Sequence, residues 1–172
     1  MMEIKKVDIK DWETLQKISE KTFTDTFGKD NDSEELSTYL ANAYNKEQLI
    51  NELSNSNSEF YFIYFESQVA GYIKLNIGSA QTEKIADHAL EIERIYIDSD
   101  FKRKGLGKKL YEWANERAKE QSKESIWLGV WEKNPSAIAF YVSLGFKKVG
   151  QHTFHFGNDE QIDYIMEKTF TR

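Results

Sequence analysis

A chain of 172 residues with 14% aromatics, one proline and a formal net charge of -6 suits one packed α/β or α+β domain spanning residues 1–172. Zero cysteines exclude disulfides, thiolate metal sites and a cysteine nucleophile, and the acidic balance argues against nucleic-acid binding. No terminal apolar run reaches membrane-span length and the start Met-Met-Glu-Ile-Lys-Lys lacks a secretory pattern, so a soluble, cytoplasmic protein is expected.

Met2 to Lys6 reads as a short strand, and Trp12, Leu15, Ile18 and Phe23 recur at helical spacing. Asp32 or Ser33 can cap a helix carrying Leu36, Tyr39, Leu40 and Ala43, and Lys46 to Leu53 reads as a third helix, separate or continuous with it. After a polar turn at Ser54 to Glu59, Phe60 to Phe65 and Val69 to Leu75 flank Glu66-Ser67-Gln68 as an antiparallel hairpin. Gly78 to His88 has no periodicity and reads as a loop. Leu90 to Ile97 alternates charged and β-branched residues as a strand, and Leu106, Leu110, Trp113, Ala114 and Arg117 then follow helical spacing. Ser125 to Val130 is a further strand, and Pro135 opens a helix carrying Ala137, Ile138, Phe140, Tyr141 and Leu144 that Gly145 stops. Phe146 to Phe156 and Ile162 to Lys168 close the chain as strands, with no internal repeat.

The turn between Ile97 and the next helix is a local reversal of charge. Lys102, Arg103, Lys104, Lys108 and Lys109 fall within nine residues that contain no acid and hold Gly105-Leu106-Gly107. Two readings compete: a cradle whose backbone N–H groups and cations hold a pyrophosphate, or a solvated basic start to a helix. A dinucleotide fingerprint fails because Leu110 stands at its third glycine, and a P-loop fails at Lys102 and Lys109. His88, His152 and His155 have no acidic partner at a zinc-ligand spacing, and His152 and His155 read as ordinary strand or loop residues.

A second block decides between the readings. Asn134-Pro135-Ser136-Ala137-Ile138-Ala139-Phe140-Tyr141-Val142-Ser143-Leu144-Gly145-Phe146 resembles the second signature of the GNAT superfamily of N-acetyltransferases, in which it follows a [QR]-x-x-G-x-[GA] pyrophosphate loop. The resemblance covers roughly Leu75 to Lys168 and departs at Lys102, where Gln or Arg is usual, and at Ser143, where lysine is common. It implies a GNAT fold: a mixed, mostly antiparallel sheet of six or seven strands, helices on both faces, and a splay between Leu90–Ile97 and Ser125–Val130. It implies acetyl-CoA as cosubstrate and no metal. The pantetheine arm would lie on the backbone of Ile95, Tyr96 and Ile97, and the pyrophosphate on Lys102, Arg103, Lys104, Gly105, Leu106, Gly107 and Lys108, with Asn134, Ala137, Phe140 and Tyr141 completing the cofactor site.

Further segments, Thr22 to Phe27, Tyr39 to Tyr44, Trp127 to Asn134 and Asp163 to Lys168, resemble the PaiA group of bacterial spermidine/spermine acetyltransferases, which implies a polyamine acceptor. Asp25, Asp30, Asp32, Glu34, Glu35, Glu47, Glu52 and Glu59 against Lys29 and Lys46 could attract a polycation, or could be ordinary solvated helix faces. Other acceptors of the same fold are an amino acid, a protein amine or an antibiotic amine, and a CoA-sensing module with little turnover is a different class. The sequence does not reveal the oligomeric state.

The chemistry needs a neutral amine, a donor for the developing oxyanion and a proton for the departing thiolate. An alkylamine with pKa about 10.4 is roughly one part in a thousand neutral at pH 7.4, so deprotonation costs about 4 kcal/mol. Glu91 and Glu93 are the general-base candidates, each with the alternative of a salt-bridged carboxylate. The N–H of Ile97 is the oxyanion-donor candidate. Tyr141 is the general-acid candidate, its alternative being a packed core tyrosine beside Phe140. Without cysteine or a serine elbow, direct transfer in a ternary complex is expected.

Overall fold

The computed structural model describes residues 1–29, 32–156 and 159–170; Asp30 lies outside them. Strands β1 (Met2–Lys6), β2 (Ser58–Phe65), β3 (Gln68–Asn76), β4 (Ala89–Ile97), β5 (Ser125–Trp131), β6 (Lys147–Phe156) and β7 (Asp159–Thr169) form one sheet in the order β1-β2-β3-β4-β5-β7-β6. Every neighbouring pair is antiparallel except β4 and β5. Helices α1 (Trp12–Phe27), α2 (Ser33–Ala43), α3 (Lys46–Leu53), α4 (Leu106–Glu120) and α5 (Pro135–Ser143) cover it. The expected strand number, helix placement and opening between the central strands are all present.

Local chemistry sets the boundaries. The Asp32 carboxylate accepts from the N–H groups of Glu34 and Glu35 at the start of α2, and Asn45 accepts from Gln48 N at 2.8 Å to start α3, so the two helices are separate. The hairpin turn is shorter than the three polar residues suggested: Glu66 and Ser67, at φ 49° and 66°, make it alone. Strand β2 begins at Ser58 because the Ser58 hydroxyl donates to Asn76 Oδ1 at 2.8 Å across the ladder, which draws two polar residues of the expected turn into the sheet.

The central strands are buried on both faces, whereas the edge strands β1 and β6 are largely exposed. Strand β2 sends Tyr61 and Ile63 to the α4 side, against Leu90, Leu110 and Leu128, and Phe60 and Phe62 to the other side, against Leu15, Phe23 and Leu49. Each such side chain contributes roughly 1.5–3 kcal/mol by leaving water. Gly71 lets β3 and β4 close up, since a Cβ there would sit 2.4 Å from Tyr96 O.

Two irregularities of β4 build the site. Lys74 pairs with Arg94 but Leu75 pairs with Ile92, so Glu93 is an extra residue bulged out of β4. Before the bulge Leu90 and Ile92 face α4; after it Ile95 and Ile97 do. The change of parity brings Glu91, Glu93, Arg94 and Tyr96 to the opposite face. The second irregularity is divergence: β4 and β5 pair only over Ala89–Ile92 and Ser125–Leu128, and the strands then part.

Candidate active site

A cavity of about 740 Å³ opens where β4 and β5 part, and its two ends differ in charge. At one end lie Lys102, Arg103, Gly105, Leu106, Gly107 and Lys108. Gly105 starts α4 at φ 76°, a left-handed conformation that glycine adopts without strain, and no side chain caps the helix. The first hydrogen bond into α4 runs from Lys109 N to Gly105 O, so the preceding N–H groups have no intrahelical acceptor and favour an anion. A Cβ on Gly107 would meet only Phe140 Cζ, at 4.0 Å, and one on Gly105 nothing within 4 Å. The cradle has room for a bulky anion.

Among the described residues, the cavity edge of β4 has no strand partner beyond Ile92. Asp98 N donates toward β3, to Ala70 O at 2.8 Å, so the alternation of an extended strand turns the N–H groups of Ile97 and Ile95 to the cavity side. Asn134, Ala137, Phe140 and Tyr141 line the facing wall, where Asn134 Oδ1 caps α5 by accepting from Ala137 N at 3.2 Å. Tyr141 is 7% exposed, and burial pushes its phenol well above the ordinary range. It therefore keeps its proton at neutral pH.

The other end holds Glu83, Glu91, Glu93 and Asp163 among Phe27, Tyr39 and Trp131. Glu91 and Glu93 have different environments. Glu93 lies 2.7 Å from Lys74 Nζ and 3.2 Å from Arg94 Nη2, and both cations also bind Glu52, at 3.0 and 2.8 Å. Burial alone would raise the Glu93 carboxyl, but Arg94 and Lys74 outweigh it and hold the group below its usual value. Glu91, 3% exposed, has no such partner among the described residues: burial raises its carboxyl, partly offset by hydrogen bonds from Asn76 and Thr82. Asn76 Nδ2 donates to both, at 3.0 Å to Glu91 and 2.8 Å to Glu93. Glu93→Gln should cost about 3 kcal/mol of stability, because it leaves buried cations under-compensated; urea unfolding against wild type measures it.

The structure brings together all the sequence-selected residues except Lys104, whose ammonium sits 4.9 Å above the Phe65 ring and is not part of the cavity wall. None of the described acids counted between Thr22 and Glu59 lines the cavity. Asp25 binds Lys21, Asp32 caps α2, Glu52 binds Arg94 and Glu59 binds Arg117 at 2.7 Å. The cavity acids Glu83 and Asp163 were not selected from sequence, nor was Thr82. His152, on β6, also lines the wall, with Nδ1 3.0 Å from Glu83 Oε1 but not aligned for a hydrogen bond, and Nε2 3.7 Å from Asp163 Oδ2. Burial raises the Asp163 carboxyl, His152 opposing and Glu83 reinforcing. The described residues hold no cluster of His, Asp and Glu that could bind a metal ion, and no helix among them is long and apolar enough to cross a membrane.

Residues 12–146 match the acetyltransferase (GNAT) family. The chain belongs to that family. It is 42% identical, over 97% of its length and 96% of the relative's, to an uncharacterized N-acetyltransferase of Lactobacillus delbrueckii subsp. lactis. It is 29% identical, over 98% of both chains, to the spermidine N(1)-acetyltransferase of Thermoplasma acidophilum. Its fold superposes with TM-score 0.82 on the crystal structure of the PaiA N-acetyltransferase of Thermoplasma acidophilum in complex with coenzyme A, at 27% identity and 99% coverage of both chains.

As a GNAT enzyme the protein transfers acetyl from acetyl-CoA to an amine. The residues present fit that cosubstrate: an uncapped helix start flanked by cations suits the pyrophosphate, and the unpaired edge of β4 suits the amides of the pantetheine arm.

Proposed function

We propose that the acceptor is a polyamine, spermidine being the reference case, acetylated by direct attack within a ternary complex. The observation that carries this reading is the polarity of the cavity. Its cofactor end is cationic, and its acceptor end carries four acids, Glu83, Glu91, Glu93 and Asp163, against the guanidinium of Arg94. Glu93 is neutralised by Lys74 and Arg94, which leaves Glu91 near the reacting nitrogen and Glu83 with Asp163 for a more distant charge. The similarity to the spermidine N(1)-acetyltransferase of Thermoplasma acidophilum supports the same class.

Acetyl-CoA supplies an activated thioester carbonyl. Glu91 takes the proton that the ammonium must lose, since its raised carboxyl makes it a better acceptor than the ion-paired Glu93. The Ile97 N–H faces the charge that develops on the carbonyl oxygen. Tyr141 holds its proton for the departing sulfur.

Release of free thiol from acetyl-CoA against a panel of amines tests the reading. Spermidine should exceed a monoamine of equal length, a peptide N-terminus and an aminoglycoside in kcat/KM; turnover confined to one of the others, or CoA binding without thiol release, would overturn it. Asp163→Asn should raise KM for spermidine about tenfold, equivalent to about 1.4 kcal/mol, while leaving KM for the monoamine and kcat within twofold.

A further inference from the structure

Glu91 lines the cavity, but both of its carboxylate oxygens are engaged by neighbours. Oε1 accepts from Asn76 Nδ2 at 3.0 Å and from the backbone N–H of Thr82 at 2.8 Å, and Oε2 accepts from the Thr82 hydroxyl at 2.5 Å. Thr82 is exposed and lines the cavity, whereas Glu91 is 3% exposed. Thr82 is also held in place. Its neighbour Gln81 accepts from the indole N–H of Trp127 at 2.8 Å, and Trp127 is buried in β5. The loop between β3 and β4 is thus pinned at Gln81 and Thr82, with the hydroxyl of the exposed, cavity-lining threonine bonded to the buried Glu91.

We infer that the Thr82 hydroxyl relays the proton from the acceptor ammonium to Glu91. A hydroxyl has one donor hydrogen and two acceptor lone pairs; at Thr82 the hydrogen is already committed to Glu91, and the lone pairs are available to an N–H from the cavity. In the transfer the ammonium N–H bond breaks and its proton joins Thr82 Oγ1, while the Thr82 O–H bond breaks and that proton joins Glu91 Oε2. The nitrogen keeps the electron pair with which it attacks. No net charge is created on threonine, and the proton rests on the one carboxylate of this network that has no cation beside it. The burial that raises Glu91 favours its taking up the proton. This inference rests on Glu91 being the base.

The test compares Thr82→Val and Thr82→Ser with wild type, using two acceptors: a strongly basic amine and its β,β,β-trifluorinated analogue, whose nitrogen is largely neutral at the assay pH. Valine keeps the shape and the backbone N–H to Glu91 but removes the hydroxyl. The expected result is a fall of roughly tenfold to a hundredfold in kcat/KM for the basic amine, a change within twofold for the fluorinated one, and recovery to within about threefold in Thr82→Ser. The acid limb of the pH profile should also move upward in Thr82→Val, because a hydrogen bond that lowers the Glu91 carboxyl is lost. Equal losses on both amines, or none on the basic one, would overturn the relay. Glu91→Gln separates it from the reading beneath: an inactive Glu91→Gln beside a normal Thr82→Val removes the relay alone, and a fully active Glu91→Gln removes both.

Discussion

Glu91→Gln should lower kcat/KM for a basic primary amine by about a hundredfold to a thousandfold at neutral pH, the range for loss of a positioned base. The size follows from the roughly 4 kcal/mol needed to present a neutral alkylamine at that pH. The pH dependence carries the sign. In wild type, activity falls as pH drops through the Glu91 carboxyl, because the protonated form accepts nothing, and levels off above it. In the glutamine variant the neutral amine must come from solution, so log kcat/KM should climb with unit slope up to the amine pKa. A variant that keeps the wild-type plateau would exclude Glu91 as base. Glu93→Gln should behave differently, with lowered stability and a retained plateau, because Glu93 is the counter-ion of Lys74 and Arg94.

Tyr141→Phe should reduce kcat roughly tenfold to a hundredfold with little change in CoA affinity. Burial has two consequences for this phenol. It keeps the proton in place through the physiological range, and it makes full transfer to a thiolate, whose ordinary pKa is about 8.5, uphill. Donation to the sulfur therefore helps chiefly once charge has built up, which keeps the expected loss smaller than that at Glu91. Single-turnover rates beside CoA binding by calorimetry separate the two effects. An unchanged rate would leave Tyr141 as packing for Phe140 and Phe146, whose rings lie 5.3 and 5.6 Å away.

The cofactor end was legible in the sequence because its signals are local. A glycine-broken basic turn between strand and helix, and an Asn-Pro helix start followed by Phe140-Tyr141, each lie within one short segment. The acceptor end was not, because it is assembled across the sheet. Asp163 reaches it from β7, His152 from β6 and Glu83 from a loop, and only the register that pairs Trp131 with Asp163 and Asp163 with His152 brings them together. Glu91 and Glu93 were visible as candidates but not distinguishable. The doubled charge of Glu93-Arg94 in Leu90-Glu91-Ile92-Glu93-Arg94-Ile95 breaks strict alternation, and that break is the sequence trace of the bulge that pairs Glu93 with its cations. The acid-rich helices drew attention through composition alone, and composition does not say which way a helix face points. Thr82 had no sequence signal: its role depends on a non-periodic loop folding back onto β4.

Mass analysis of a reaction of the enzyme with acetyl-CoA and spermidine tests direct transfer to a polyamine most plainly. The expected outcome is one monoacetylated spermidine for each CoA released, with no acetyl group on the protein at any time. Acetyl recovered on the enzyme, or thioester consumed without acetylated spermidine, would contradict it.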